Sequence, residues 1–239
     1  MSPLKIERFL HFDIEERYKP VAREIVKLFK LKMDKPLILD VGSGPGGIAR
    51  FLPEEINRER VVLCDIDKQT LKEGAKKTNA IPVMANASKL PFRKDSFSAV
   101  ICVHALEHIP KGKIRDESLM EMNRVAKDRL LIEGPFGKNA EKLSRYFINT
   151  LKKIGRPLNP VALEHLTCGI PDMKIIFRYC KGCLIVEEKR NFWIEYIFLV
   201  IAHVPMWRYL NILLWLLYFN SWRNKPPFTE KFIILDKVQ

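Results

Sequence analysis

Short apolar runs alternate with polar, helix-spaced stretches through the first 137 residues. "PLILDV" (36–41), "RVVLCDID" (60–67), "IPVMAN" (81–86), "SFSAVICVHA" (96–105) and "DRLLIEGPF" (128–136) read as strands bounded by turn residues. Between them, "GGIARFLP", "KQTLKEGAKKTN" and "SLMEMNRVAK" carry the spacing of amphipathic helices. A further helix is expected over residues 4–31, where Val21, Ile25, Leu28 and Phe29 fall on one face. Strands alternating with helices at this rhythm predict an α/β fold with a mostly parallel sheet covered on both faces.

Past residue 137 the rhythm loosens. "NAEKLSRYFINTLKKIG" predicts a basic amphipathic helix, and "GCLIVEEKR" and "EKFIILDKV" predict two last strands. Between those strands residues 192–222 hold all four tryptophans, Trp193, Trp207, Trp215 and Trp222. The organisation expected is an N-terminal helical segment (1–34), a ligand-binding Rossmann-like core (35–137), and a C-terminal part of the same domain (138–239) with substrate-side helices and a hydrophobic helical insertion before the last strand.

The stretch "LILDVGSGPGGIARFL" carries the first chemical signal. Gly42-x-Gly44-x-x-Gly47 fits a dinucleotide loop, in which glycines allow positive φ and close approach of backbone to ligand. Asp40, at the mouth of that loop, argues against a pyrophosphate, which a carboxylate repels. It suits a ligand carrying an ammonium or sulfonium group, or it fixes the loop that holds one. A helix N-terminus behind the loop still accommodates a carboxylate. Ammonium, carboxylate and sulfonium together describe S-adenosylmethionine. Asp65 ends the second strand about twenty residues beyond the glycines, where an acid meets ribose hydroxyls. The Asn86-Ala87 pair follows the third strand and can place an amide near the adenine edge, between apolar Ile66 and Leu90.

"LDVGSGPG", "LPFRKDSFSAV" and "LEHIP" occur in that order. The chain thereby resembles the class I S-adenosylmethionine-dependent methyltransferases, in the methyltransferase-11-like branch, over roughly residues 35–137. The resemblance implies a seven-stranded sheet whose last strand is antiparallel. Carried over by position, Asp40, Gly42, Ser43, Gly44 and Gly46 line the methionine end of the cofactor, Asp65 holds the ribose, and His104 lies beside the cofactor. Asn86 stands where the family usually has an aspartate, and Ser98 replaces another.

Methyl transfer from a sulfonium needs alignment and exclusion of water, and a base only when the acceptor must lose a proton. His104 and His108 follow the fourth strand and are candidates, with Glu107 between them. His165 lies in "ALEHLTCGIP", which resembles a segment of methyltransferases of glycan or envelope-lipid synthesis. Gly169 and Pro171 equally suit an ordinary helix end there. Glu107 and His108 alone are too few ligands for a metal. His165, Cys168, Cys180 and Cys183 have the ligand types of a zinc site, but an amphipathic helix is expected between the cysteine pairs, and no metal is assigned.

Within residues 192–222, Tyr196–Trp207 and Tyr209–Trp222 are two uncharged runs split by Arg208 near Pro205, each too short to span a bilayer. Two short helices are expected, at a membrane surface or packed as a lid or dimer face, and in each case walling an apolar acceptor. The composition leaves this open. The 239 residues suffice for one α/β domain, and a net charge of +13 admits an anionic membrane surface or RNA as partner. Five cysteines without a disulfide-like spacing suggest a reducing compartment. The first twenty residues lack a signal-peptide core, so a cytoplasmic location, peripheral at the membrane, is expected. The leading expectation is a methyltransferase with a hydrophobic, lipid-like or lipid-linked, including glycan, acceptor. The alternatives are an RNA methyltransferase and a non-catalytic cofactor-binding protein at a membrane.

Overall fold

The computed structural model describes residues 18, 21–27, 30, 36–54, 56–153, 155, 158, 160–180, 183–190 and 230–237. Residues 192–222, with every tryptophan, lie outside them, as does most of the 4–31 segment. Within that segment residues 21–27 are helical (α1).

Seven strands form one sheet in the order β3-β2-β1-β4-β5-β7-β6. They are β1 (Ile38–Val41), β2 (Val61–Asp65), β3 (Ile81–Met84), β4 (Phe97–Val103), β5 (Ala126–Pro135), β6 (Cys183–Arg190) and β7 (Glu230–Lys237). β1 to β5 pair in parallel, and β7 runs antiparallel to both β5 and β6. The seven-stranded, mostly parallel sheet expected from the sequence is therefore present, with β7 as its one antiparallel member. Reversal of strand order beside β1 opens a crevice at the strands' carboxyl ends, where open α/β sheets bind ligands.

The helices are α2 (Lys68–Thr78), α3 (Lys113–Val125), α4 (Gly137–Lys153), α5 (Pro160–Cys168) and α6 (Met173–Tyr179). Alternation along the strands divides the core between the two faces. Ile38, Leu63 and Ile101 pack with Val21 and Ile25 of α1 on one side. Leu39, Val100 and Ile132 pack with Leu119 and Met122 of α3 and Ile176 of α6 on the other. Arg129 of β5 ties α1 to the sheet through Glu24 (2.9 Å) and Asp236 (2.5 Å). β3 is an edge strand whose residues are largely exposed, with Pro82 paired opposite Leu63.

One expected helix is much shorter. "GGIARFLP" makes only a single 3-10 turn, Gly47–Arg50. Gly46 and Gly47 enter it at φ of 123° and 43°, outside helical backbone. The Arg58 guanidinium then accounts for the carbonyls that a longer helix would have paired. It donates to Ala49 O, Leu52 O, Pro53 O and Ile56 O. A half-buried arginine thus replaces a helical ladder with a side-chain hub.

Candidate active site

The chain leaves β1 at Val41 and crosses the end of β2, with the N–H groups of Gly42 and Ser43 both donating to Cys64 O at 2.8 and 3.2 Å. A Cβ on Gly42 would lie 2.3 Å from the Ala105 methyl carbon, so this glycine is required by close approach to the segment after β4. Gly44, at φ +51°, instead faces open space. Ser43 is buried.

Asp40 is 1% exposed, and its Oδ2 accepts from Ile48 N–H at 2.7 Å. A Cβ on Gly47 would come within 1.8 Å of the same oxygen. The carboxylate therefore anchors the loop to the start of the 3-10 turn. Burial raises its pKa to about 7, the Ile48 N–H opposes this, and the nearby Asp65 charge adds to it. Asp40 Oδ1 is buried without a hydrogen bond, as suits a carboxylate that completes its environment with a cationic ligand.

Asp65 sits beside this loop. Its Oδ2 accepts from Gly44 N–H at 2.8 Å, and its Oδ1 from Asp67 N–H at 3.0 Å. The two glycine-loop carboxylates thus hold the loop by backbone donors, one from inside and one from the crevice side. Ile66 is 72% exposed, which is unusual for a large apolar side chain and fits an adenine-facing wall. Leu90 does not: it is buried in the core, with its N–H on Glu121. Asn86 is exposed and Ala87 half-buried. The Asn86 Oδ1 accepts from both the N–H and the hydroxyl of Ser88, each at 3.0 Å. The oxygen expected to meet the adenine amino group is already engaged in a turn.

After β4 the backbone is unusual. His104 takes φ +48°, uncommon for a side chain with a Cβ, and its N–H donates to Glu133 O at 2.8 Å. This turn, followed by the 3-10 segment Leu106–His108, brings Glu107 inward until it is 1% exposed. His104 Nδ1 lies 3.2 Å from Glu107 Oε1. Burial alone would raise the Glu107 pKa, but the His104 contact and the charges of His104 and His108 outweigh it and hold the carboxyl below its ordinary range.

α5 then delivers the distant histidine. His165 is 5% exposed, with Nε2 at 3.9 Å from Glu107 Oε1, and its ring centroid is 5.0 Å from that of His108. The C-terminus of α5 is fastened to the 109–115 segment: Cys168 O accepts from Lys111 N–H and from Arg115, each at 3.0 Å. Gly169, at φ +80°, closes the helix by donating to His165 O, the ordinary helix end foreseen for it.

The three histidines named from sequence therefore gather around one buried carboxylate. The sequence alone puts Glu107 between His104 and His108 after the fourth strand and leaves His165 in a separate segment. The available signal was the tripeptide Leu-Glu-His, which occurs at 106–108 and again at 163–165. Among the described side chains the cysteine-rich alternative does not gather: the Cys180 side chain is buried in the core, and the Cys168 thiol faces His108 O at 3.4 Å.

Residues 38–129 match the methyltransferase domain family. The chain is 38% identical over 100 residues to the mitochondrial arginine-hydroxylase NDUFAF5 of Danio rerio, covering 39% of this chain and 30% of that protein. It is 30% identical over 112 residues to the ubiquinone/menaquinone biosynthesis C-methyltransferase UbiE of Rickettsia massiliae, covering 42% and 41%. The matches thus span less than half the length of these curated relatives. The magnesium protoporphyrin IX methyltransferase of Synechocystis, solved with S-adenosylhomocysteine, shares the fold with a TM-score of 0.56 at 14% identity, covering 96% of this chain and 88% of that one. The glycine loop, the paired carboxylates and the strand order agree with these matches, and over residues 38–129 the chain is similar in sequence to a methyltransferase domain and in fold to a class I S-adenosylmethionine-dependent methyltransferase.

Proposed function

We propose that the protein transfers a methyl group from S-adenosylmethionine to a hydrophobic, lipid-like or lipid-linked acceptor. The observation that carries the reaction class is the glycine loop held between Asp40 and Asp65, beside exposed Ile66. Asp40 and the loop would take the amino-acid end of the cofactor, and Asp65 the ribose. The nucleophile attacks the methyl carbon, the carbon–sulfur bond breaks, and its electron pair neutralises the sulfonium. The domain's part is to align the three atoms and exclude water.

The apolar acceptor is supported by residues 192–222, an aromatic stretch of sequence outside the matched residues 38–129. It is also supported by two names among the similar proteins, those of a quinone-pathway methyltransferase and a porphyrin methyltransferase. One observation favours RNA as the alternative acceptor: the net charge is +13, and Lys138, Lys142, Lys152 and Lys153 are exposed along α4.

The test uses methyl-labelled S-adenosylmethionine with a membrane-containing cell extract, followed by separation of lipid, RNA, protein and small molecules. Label in the organic-solvent fraction, absent with Asp65→Ala, is the expected result. Label confined to RNA would overturn the acceptor class. Tight S-adenosylhomocysteine binding with no label in any fraction would indicate a non-catalytic binder.

A further inference from the structure

We propose that Glu107, His108 and His165 form a site for a first-row divalent cation, and that the cation presents an oxygen atom of the methyl acceptor to the cofactor. One ligand atom from each of these residues lies within 4.8 Å of the others. Around a cation at ordinary bond lengths, neighbouring ligands stand roughly 3–3.5 Å apart, so closure requires movements of about an ångström. Two imidazoles and a carboxylate select zinc, iron, cobalt or manganese over calcium or magnesium, and they leave coordination positions open.

Burial separates this group from a chance surface cluster. Glu107 is 1% exposed and its Oε2 has no hydrogen bond. Burying such a group is costly without compensation, and a cation would provide it. The surroundings have the form of a supporting layer. Glu164 Oε2 lies 2.9 Å from His108 Nδ1, which would hold the proton there and leave Nε2 for the cation. His104 Nδ1, 3.2 Å from Oε1, orients the Glu107 carboxylate. Gly134, at φ +159°, leaves room for that carboxylate, since a Cβ there would stand 3.1 Å from Oε2. Access exists through His108, whose side chain is 30% exposed.

The place of the group supports a part in the reaction. It follows β4 directly, and Ala105 touches the glycine loop at Gly42. A cation there would bind an acceptor hydroxyl and favour loss of its proton to solvent. The oxygen would then attack the methyl carbon as the carbon–sulfur bond breaks. This second part rests on the methyl-transfer reading; cation binding does not.

The untagged full-length chain would be stripped with chelator and titrated with Co²⁺ and Zn²⁺, with S-adenosylhomocysteine affinity measured in parallel. We expect one equivalent bound, with visible Co²⁺ absorption that shifts on adding acetohydroxamate, a bidentate oxygen ligand. His108→Ala, at the most exposed of the three positions, should lose at least about tenfold in cation affinity while keeping S-adenosylhomocysteine affinity. His165→Gln should behave alike. Absence of bound cation in the wild type, or equal affinity in His108→Ala, would overturn the site. An unshifted Co²⁺ spectrum with acetohydroxamate would overturn its role in holding an acceptor oxygen. One equivalent bound with no methyl transfer would leave the cation site standing and overturn the methyltransferase reading instead.

Discussion

Asp40→Asn should make the protein more stable at pH 8 and bind its cofactor less well. Asp40 is buried, and its pKa rises from 3.8 in the unfolded chain to about 7 in the folded one. The folded state therefore binds more protons than the unfolded state between those values, and stability falls as pH rises from about 4 to about 7. At pH 5 the ionisation penalty is on the order of 2 kcal/mol, and by pH 8 it levels near 4 kcal/mol. Asparagine has no such penalty. Its oxygen can still accept from Ile48 N–H, but its amide would face the position where Oδ1 now lacks a partner, at a cost of about 1–3 kcal/mol. That cost does not depend on pH. The difference in unfolding free energy between variant and wild type should thus grow by roughly 2 kcal/mol from pH 5 to pH 8, as read from urea denaturation at both values. A difference independent of pH would refute the assignment of a high pKa to Asp40. S-adenosylmethionine affinity should fall in the variant, because a cationic ligand favours the ionised carboxylate; undiminished affinity would refute its role at the methionine end.

Asp65→Ala should weaken S-adenosylhomocysteine binding by at least about a hundredfold in calorimetry, about 3 kcal/mol for a lost charged hydrogen-bonding site; unchanged affinity would remove Asp65 from the site. Gly47→Ala should disorder the loop, since the added carbon meets Asp40 Oδ2 at 1.8 Å, and amide exchange of residues 42–50 should accelerate. Arg58→Ala should lower unfolding free energy by about 2–3 kcal/mol in urea titration, because four carbonyls lose their donor. A change below about 0.5 kcal/mol would show that water replaces the guanidinium without loss.

Strand number and the parallel run of the sheet were legible because most strands are short apolar runs closed by turn residues, and because the resemblance to a known family implied an antiparallel last strand. The sheet could be read locally; the active-site cluster could not. Glu107 and His165 are 58 positions apart in the chain, and their meeting goes with the fastening of α5 to the 108–115 segment through the carbonyl and thiol of Cys168. No local period encodes such a contact. The 3-10 turn after β1 escaped notice for a similar reason: "GIARFLP" has helical spacing, and the competitor is Arg58, a charged residue that looks like surface. Leu90 was misplaced because an apolar residue near a ligand loop can face either the ligand or the core. Asn86 was placed correctly at the strand end, but its oxygen serves the turn.

β3 has a consequence for how the molecule keeps to itself. An edge strand offers free N–H and C=O groups to any other strand, and Ile81 and Met84 add exposed apolar surface, at 43% and 61%. Pro82 interrupts that invitation, because it has no N–H to donate. A foreign strand laid along β3 would meet a gap in its ladder two residues from one end of a four-residue strand. Replacing Pro82 with valine would restore the missing donor, and with it a continuous sticky margin; the variant should then aggregate sooner on concentration than the wild type.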